Sequence, residues 1–119
     1  MSRFFHVIAV LASAPEWPQG DPGRVLTLHL PLTNDAQLDA GTAAHAGDHA
    51  SVELAVSGRI AWSSQLFQVD DGWAVRPGTR EESPLWRFYA RSLRPGDYIT
   101  LYAEDEHEQG YRIVNVEPD

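Results

Sequence analysis

Residues 92–119 read SLRPGDYITLYAEDEHEQGYRIVNVEPD, and the fold class turns on how this stretch is organised. Arg94-Pro95-Gly96-Asp97 puts Pro and Gly at the two central positions of a turn, where a type II geometry needs a fixed negative φ followed by a positive one. From Tyr98 to Ala103 the apolar Ile99 and Leu101 alternate with Thr100 and Tyr102, and Tyr111 to Glu117 supplies a partner strand beyond an acidic tip. Alternation with period two buries one side of an extended chain and leaves the other wet. The stretch therefore predicts turn, strand, acidic loop and strand.

The same pattern recurs upstream. Phe4 to Leu11 is rich in β-branched and aromatic residues on both faces, as in a central strand, and RVLTLHLPL at residues 24–32 aligns Leu26, Leu28, Leu30 and Leu32 on one side. Between them SAPEWPQGDPG, with three Pro, must be a connecting loop, and Pro31 suits an edge position or a strand end. Residues 33–50 predict a loop with one helical turn, capped by Thr33 or Asn34 and ended by Gly41. SVELAVSGRIAW at 51–62 alternates cleanly, with Gly58 marking a bulge or bend. QLFQVDDGWAVRP at 65–77 predicts a hairpin turning at Asp70-Asp71-Gly72.

One segment calls for a helix. Ser83 can cap it, Pro84 suits its first position, Glu81 and Glu82 sit at the positive end of its dipole, and Pro95 stops it. Advancing about 100° per residue places Phe88, Tyr89, Leu85 and Trp86 on one arc and Arg87, Arg91 and Arg94 opposite. The expectation is thus a mainly β chain: a small antiparallel β-barrel or sandwich of about six to eight strands, forming one domain over residues 1–119, with one short α-helix near 84–93. Its core is expected from Val7, Leu28, Val52, Leu54, Phe67, Ile99, Leu101 and Val114.

Composition narrows the chemistry. The 119 residues contain no Cys, which removes disulfides, thiolate metal sites and thiol nucleophiles. A formal charge of -8 disfavours a general electrostatic grip on nucleic acid. All nine cations are Arg, a usage that high-GC coding also produces. The N-terminal MSRFFHVIAVLASA has the outline of a secretory signal, but His6 interrupts the apolar run and the charged region is a single Arg, so a first strand and a soluble, cytoplasmic protein are expected. The run is also too short to span a membrane as a helix.

Leu93, Pro95-Gly96-Asp97, Ile99 and Leu101, followed by Tyr111, Ile113 and Val116-Glu117-Pro118, form a pattern similar to the terminal strands of sortase-type and several other small β-barrels. The resemblance covers about a fifth of the chain and implies a barrel. A sortase needs a nucleophilic Cys, so no activity comes with it.

Few residues offer chemistry. His45 and His49 have a spacing that would share a helix face, but Gly47 lies between them and no third ligand is indicated, so no metal site is expected. His6 and His29 lie on strands that could be neighbours and read as hydrogen-bonded strand histidines. Glu104 to Glu108 lacks the regular ligand positions of a calcium loop and reads as a solvated tip. No nucleophile elbow, phosphate-cradling loop or zinc-protease motif is present, and no cofactor is implied. Residues 72–95 stand apart with five Arg against two Glu, which is +3 locally and leaves -11 for the remainder. Arg beside aromatic residues is the composition of interaction hot spots. The expected function is a non-enzymatic protein-binding or regulatory module, meeting a protein partner or a second copy through Arg87, Arg91, Arg94, Trp73 and Trp86. The alternative is a small-ligand or metal-binding β-barrel, with an aromatic-lined pocket and scope for catalysis.

Overall fold

A computed structural model describes residues 3–39, 41–42, 50–69, 72–76, 85–103 and 108–118. Among these residues nine strands, more than the six to eight expected, form a single antiparallel sheet in the order β4-β3-β2-β1-β9-β8-β7-β6-β5. They are β1 (Arg3–Ser13), β2 (Asp21–Leu32), β3 (Ser51–Val56), β4 (Arg59–Gln65), β5 (Phe67–Val69), β6 (Gly72–Val75), β7 (Trp86–Ala90), β8 (Tyr98–Ala103) and β9 (Glu108–Pro118). Nearly every strand pairs with its sequence neighbours, and the first and last strands pair in the middle of the sheet. The arrangement is an up-and-down meander whose seam falls between β4 and β5. Because all ladders are antiparallel, β4 and β5 must run in the same direction, joined by Leu66 alone. The sheet curls into a half-barrel, and a sandwich of two sheets is not formed.

Turn chemistry sets the hairpins. Ser57 and Gly58 both take positive φ, 52° and 83°, which is the type I′ geometry whose twist matches flanking strands. Gly58 therefore closes a two-residue hairpin between β3 and β4, not a bulge within one strand. The Arg94–Asp97 turn is as its sequence predicts: the Asp97 amide donates to the Arg94 carbonyl at 2.9 Å and Gly96 has φ 95°. Gly96 N–H also donates to the Ile113 carbonyl and Ile113 N–H to that of Asp97, each at 2.8 Å, latching the turn onto β9. Residues 33–39 hold no helical turn, while Gly41, expected to end one, is itself helical together with Thr42, whose amide donates to Asp39 Oδ1 at 3.1 Å.

The concave face holds the core. Val7, Ala9 and Leu11 of β1, Leu26, Leu28 and Leu30 of β2, and Val52 and Leu54 of β3 pack against Phe88, Ile99, Leu101, Tyr111 and Ile113. Among the described residues no charged or polar residue is buried. The largest enclosed side chain is Tyr111, whose hydroxyl donates to Gln109 Oε1 at 2.8 Å. Burial pushes that hydroxyl up from its ordinary 10 to about 12, an effect that the Arg24 guanidinium partly offsets.

Two further expectations fail. The helix near 84–93 is not formed: residues 86–90 are β7, and residues 85–93 contain no helix. Trp86, Arg87, Phe88, Tyr89 and Ala90 fit both periods, but helical packing requires Tyr89 to be buried beside Phe88, whereas it is 58% exposed. Trp, Phe and Tyr suit strands, and pairing with β6 and β8 on both sides decides between the two. Val114 is the second. Ile8 pairs with Asn115 and Ala9 with Ile113, so Val114 is an extra residue in β9 and the alternation reverses across it. Val114 points out by plain alternation from the inward Ile113, and the extra residue lets Val116 turn in to pack on the core. Phe67 is only half-buried; the remaining six expected core residues are buried.

These assignments set two expected outcomes. In denaturant titrations Leu101→Ala should cost about 2–5 kcal/mol, and Val114→Ala less than about 0.5 kcal/mol. Because folding raises the Tyr111 pKa, its contribution is complete below pH 10 and is lost as pH rises towards about 12. Stability should therefore fall by about 2–3 kcal/mol over that interval, and an alkaline denaturation series of Tyr111→Phe should lack this component.

Candidate functional site

Among the described residues, the convex side of β7, β8 and β9 carries three of the exposed large side chains, Tyr89, Tyr98 and Tyr102. Alternation dictates it: with Phe88, Ile99, Leu101, Tyr111 and Ile113 turned inward, their neighbours must turn outward. Cross-strand register arranges them in rows. Arg87 lies opposite Tyr102, which faces Glu108, and Tyr89 lies opposite Thr100, which faces Gly110. Tyr98 lies opposite Arg112, and Arg91 stands in the bend just past the end of β7. Tyr89, Tyr98 and Tyr102 are 58%, 57% and 38% exposed, and Arg87, Arg91 and Arg112 are exposed as well. Three cations thus stand among three phenol rings, with Glu108 at one corner.

Two hollows flank the Tyr98-Thr100-Tyr102 ridge. One, of about 420 Å³, is walled by Trp73, Arg87, Tyr89, Arg91 and Tyr102, with Leu38 across from them. It opens where β6 stops short: Trp73 pairs with Phe88, and β7 runs on past it to Ala90. The other, of about 460 Å³, lies over Thr100 and Gly110, beside Ser13, Tyr98 and Glu108. Gly110 fits closely there, because a Cβ at that position would stand 3.2 Å from Ser13 Oγ. Its missing side chain keeps the floor beside Thr100 low.

The five residues expected to bind a partner divide. Arg87, Arg91 and Trp73 line the same hollow. Trp73 reaches it from the inward side of the sheet, where it pairs with Phe88, and both Trp73 and Trp86 pack against the core; Trp86 does not line the hollow. Arg94 belongs to a different place, the lip of a hollow of about 330 Å³ walled by Phe5, Leu32, Leu93 and Val116. Arg87 and Arg91 share a face as expected, but not by one helical turn of about 6 Å. On an extended segment four residues span about 13 Å, and Tyr89 stands between them. Tyr98, Tyr102 and Arg112 were not among the expected site residues. Their signal was the polar side of β8, where two tyrosines two positions either side of Thr100 oppose the buried Ile99 and Leu101.

The histidines fall elsewhere. His6 and His29 pair directly across β1 and β2, their rings stacked at 4.9 Å with Phe4 at 4.8 Å from His29. They lie on the side of β1 and β2 opposite the buried leucines, next to Glu117, which accepts from Asn115 Nδ2 at 2.8 Å. Among the described residues no group of three or more His, Asp or Glu side chains is placed to hold a metal ion. His45, His49 and residues 104–107 lie outside the described residues. No helix among the described residues is long and apolar enough to cross a membrane. Comparisons with protein-family models, with curated proteins and with solved structures find no match to this chain.

Proposed function

We propose that this chain is a non-enzymatic protein-recognition module that engages its partner through the convex face of β7, β8 and β9. The observation that carries the reading is the grouping of Tyr89, Tyr98 and Tyr102 with Arg87, Arg91 and Arg112 on one exposed sheet surface. Tyr and Arg combine large contact area with hydrogen bonding at modest entropic cost, and they dominate interaction hot spots. The filled, apolar interior supports the same reading, because a barrel that holds its ligand inside needs space and converging polar groups there. A local excess of cations on a chain of charge -8 favours an acidic patch on the partner.

The small-ligand alternative draws on the hollow beside Arg94, where Phe5, Leu32, Leu93 and Val116 offer an apolar wall under one cation. Thermal-shift assays with short-chain carboxylates would promote that reading if they raised the melting temperature of the native chain but not of Arg94→Ala.

The module reading is tested by affinity capture from the native source, together with light scattering of the purified protein. Each is repeated with the double variant Arg87→Glu/Arg91→Glu at unchanged thermal stability. The wild-type chain should capture a partner, or self-associate, with an affinity that declines as the Debye length shrinks from about 10 Å at 0.1 M salt to about 3 Å at 1 M. The double variant should lose that interaction. A variant that keeps every partner and the same mass would remove this face from consideration.

A further inference from the structure

We infer that the Arg87-Tyr89-Arg91 row selects an extended peptide segment in which two acidic residues stand four positions apart with an aromatic or branched apolar residue midway. The inference rests on the protein-recognition reading and specifies its partner. Its basis is the strand geometry that replaces the expected helix. Arg87 and Tyr89 alternate onto one side of β7 and Arg91 stands exposed in the bend just past its end, so the backbone positions of the two Arg are about 13 Å apart with that of Tyr89 midway. A partner strand laid over this face has the same repeat. Its side chains at positions one, three and five then meet Arg87, Tyr89 and Arg91 in turn.

Other geometries fit less well. On a helix, acids four apart stand only about 6 Å from each other, against about 13 Å between the backbone positions of the two Arg. Single-stranded nucleic acid would bring a charge at every step, including the position over Tyr89, to a chain already at -8. The apolar middle residue meets the exposed rings of Tyr89 and Tyr102, which line the same hollow as Arg87 and Arg91. The motif is also symmetric end to end, so either strand direction satisfies it. Arg87 takes part in an interaction within its own chain, so the peptide acid joins or displaces that contact. Arg94 lies outside the row and has no part in the selection.

The test uses the full chain and fluorescein-labelled nine-residue peptides, read by fluorescence anisotropy at low salt. One peptide carries the order Glu-Ala-Phe-Ala-Glu between Gly and Ser flanks; its isomer has the two Glu adjacent; a third has Ala in place of Phe. An exposed ion pair contributes up to about 1 kcal/mol, so the spaced peptide should bind about threefold to fivefold more tightly than the isomer. Arg91→Glu should abolish that preference, Arg91→Lys should retain it, and Tyr89→Ala should remove the advantage of Phe over Ala. Equal affinity for the spaced peptide and its isomer overturns the inference, as does absence of binding to any peptide or tighter binding of a labelled single-stranded oligonucleotide. Because the variation lies in the peptide, none of these outcomes can be attributed to a misfolded variant. Partner capture that is lost in Arg87→Glu/Arg91→Glu while the peptides fail would leave the module reading standing and remove only the proposed spacing.

Discussion

Everything in this fold depends on the single residue between β4 and β5. Those strands are the two edges of a nine-stranded sheet, and eight strand spacings of about 4.8 Å would set them roughly 38 Å apart if the sheet were flat. Leu66 allows about 7 Å between its neighbours. The sheet must curl until its edges meet at that corner, and β4 and β5 become one bent run whose first part pairs with β3 and whose second part pairs with β6. The corner is fixed in three ways. The Leu66 side chain is buried, its amide donates to the Ala50 carbonyl at 2.9 Å, and Arg76 N–H donates to Ser64 Oγ at 2.9 Å across the seam.

Curling also separates the work of the two faces. A concave surface brings side chains from distant strands together, so Leu, Ile and Val suffice to fill it and no polar network is required there. A convex surface spreads its side chains apart and keeps them in water. Long side chains such as Tyr and Arg still make a continuous surface under those conditions, which small ones cannot. The composition of the β7–β9 exterior is therefore matched to its curvature as well as to its charge.

Much of the fold was legible because period-two alternation and turn chemistry are local signals. β1, β2, β3 and the terminal hairpin follow directly from Val7, Leu26, Leu28, Val52, Leu54, Ile99 and Leu101, and the Arg94–Asp97 turn from its Pro and Gly. The errors came where two local signals agreed with different structures. Ser83, Pro84 and the spacing of Arg87 and Arg91 satisfy helix rules, while Trp86, Phe88 and Ala90 satisfy strand rules, and only the non-local ladders with β6 and β8 choose. Val116 shows a second limit: the bulge at Val114 inserts one residue and inverts every inward assignment beyond it, with no change in composition to signal it. The site shows a third. Composition singles out Arg87 and Arg91, but Tyr98, Tyr102 and Arg112 join their surface only through register between strands ten or more residues apart in the chain.

The pairing of β1 with β9 bears on the time course of folding. The two meanders, β1 to β4 and β5 to β9, consist of neighbouring hairpins, each of which can close in about 1–10 μs. Their junction at the centre of the sheet joins the first strand to the last, a contact of nearly the greatest sequence separation that the chain allows. Such contacts carry the full loop-closure cost before they return any stabilisation, and all-β chains dominated by them fold in milliseconds to seconds. On the ribosome, β1 can pair with β2 early, but its other edge stays open until β9 has been made. That interval leaves one side of Phe5 to Leu11, an apolar strand, available for pairing with a neighbouring chain.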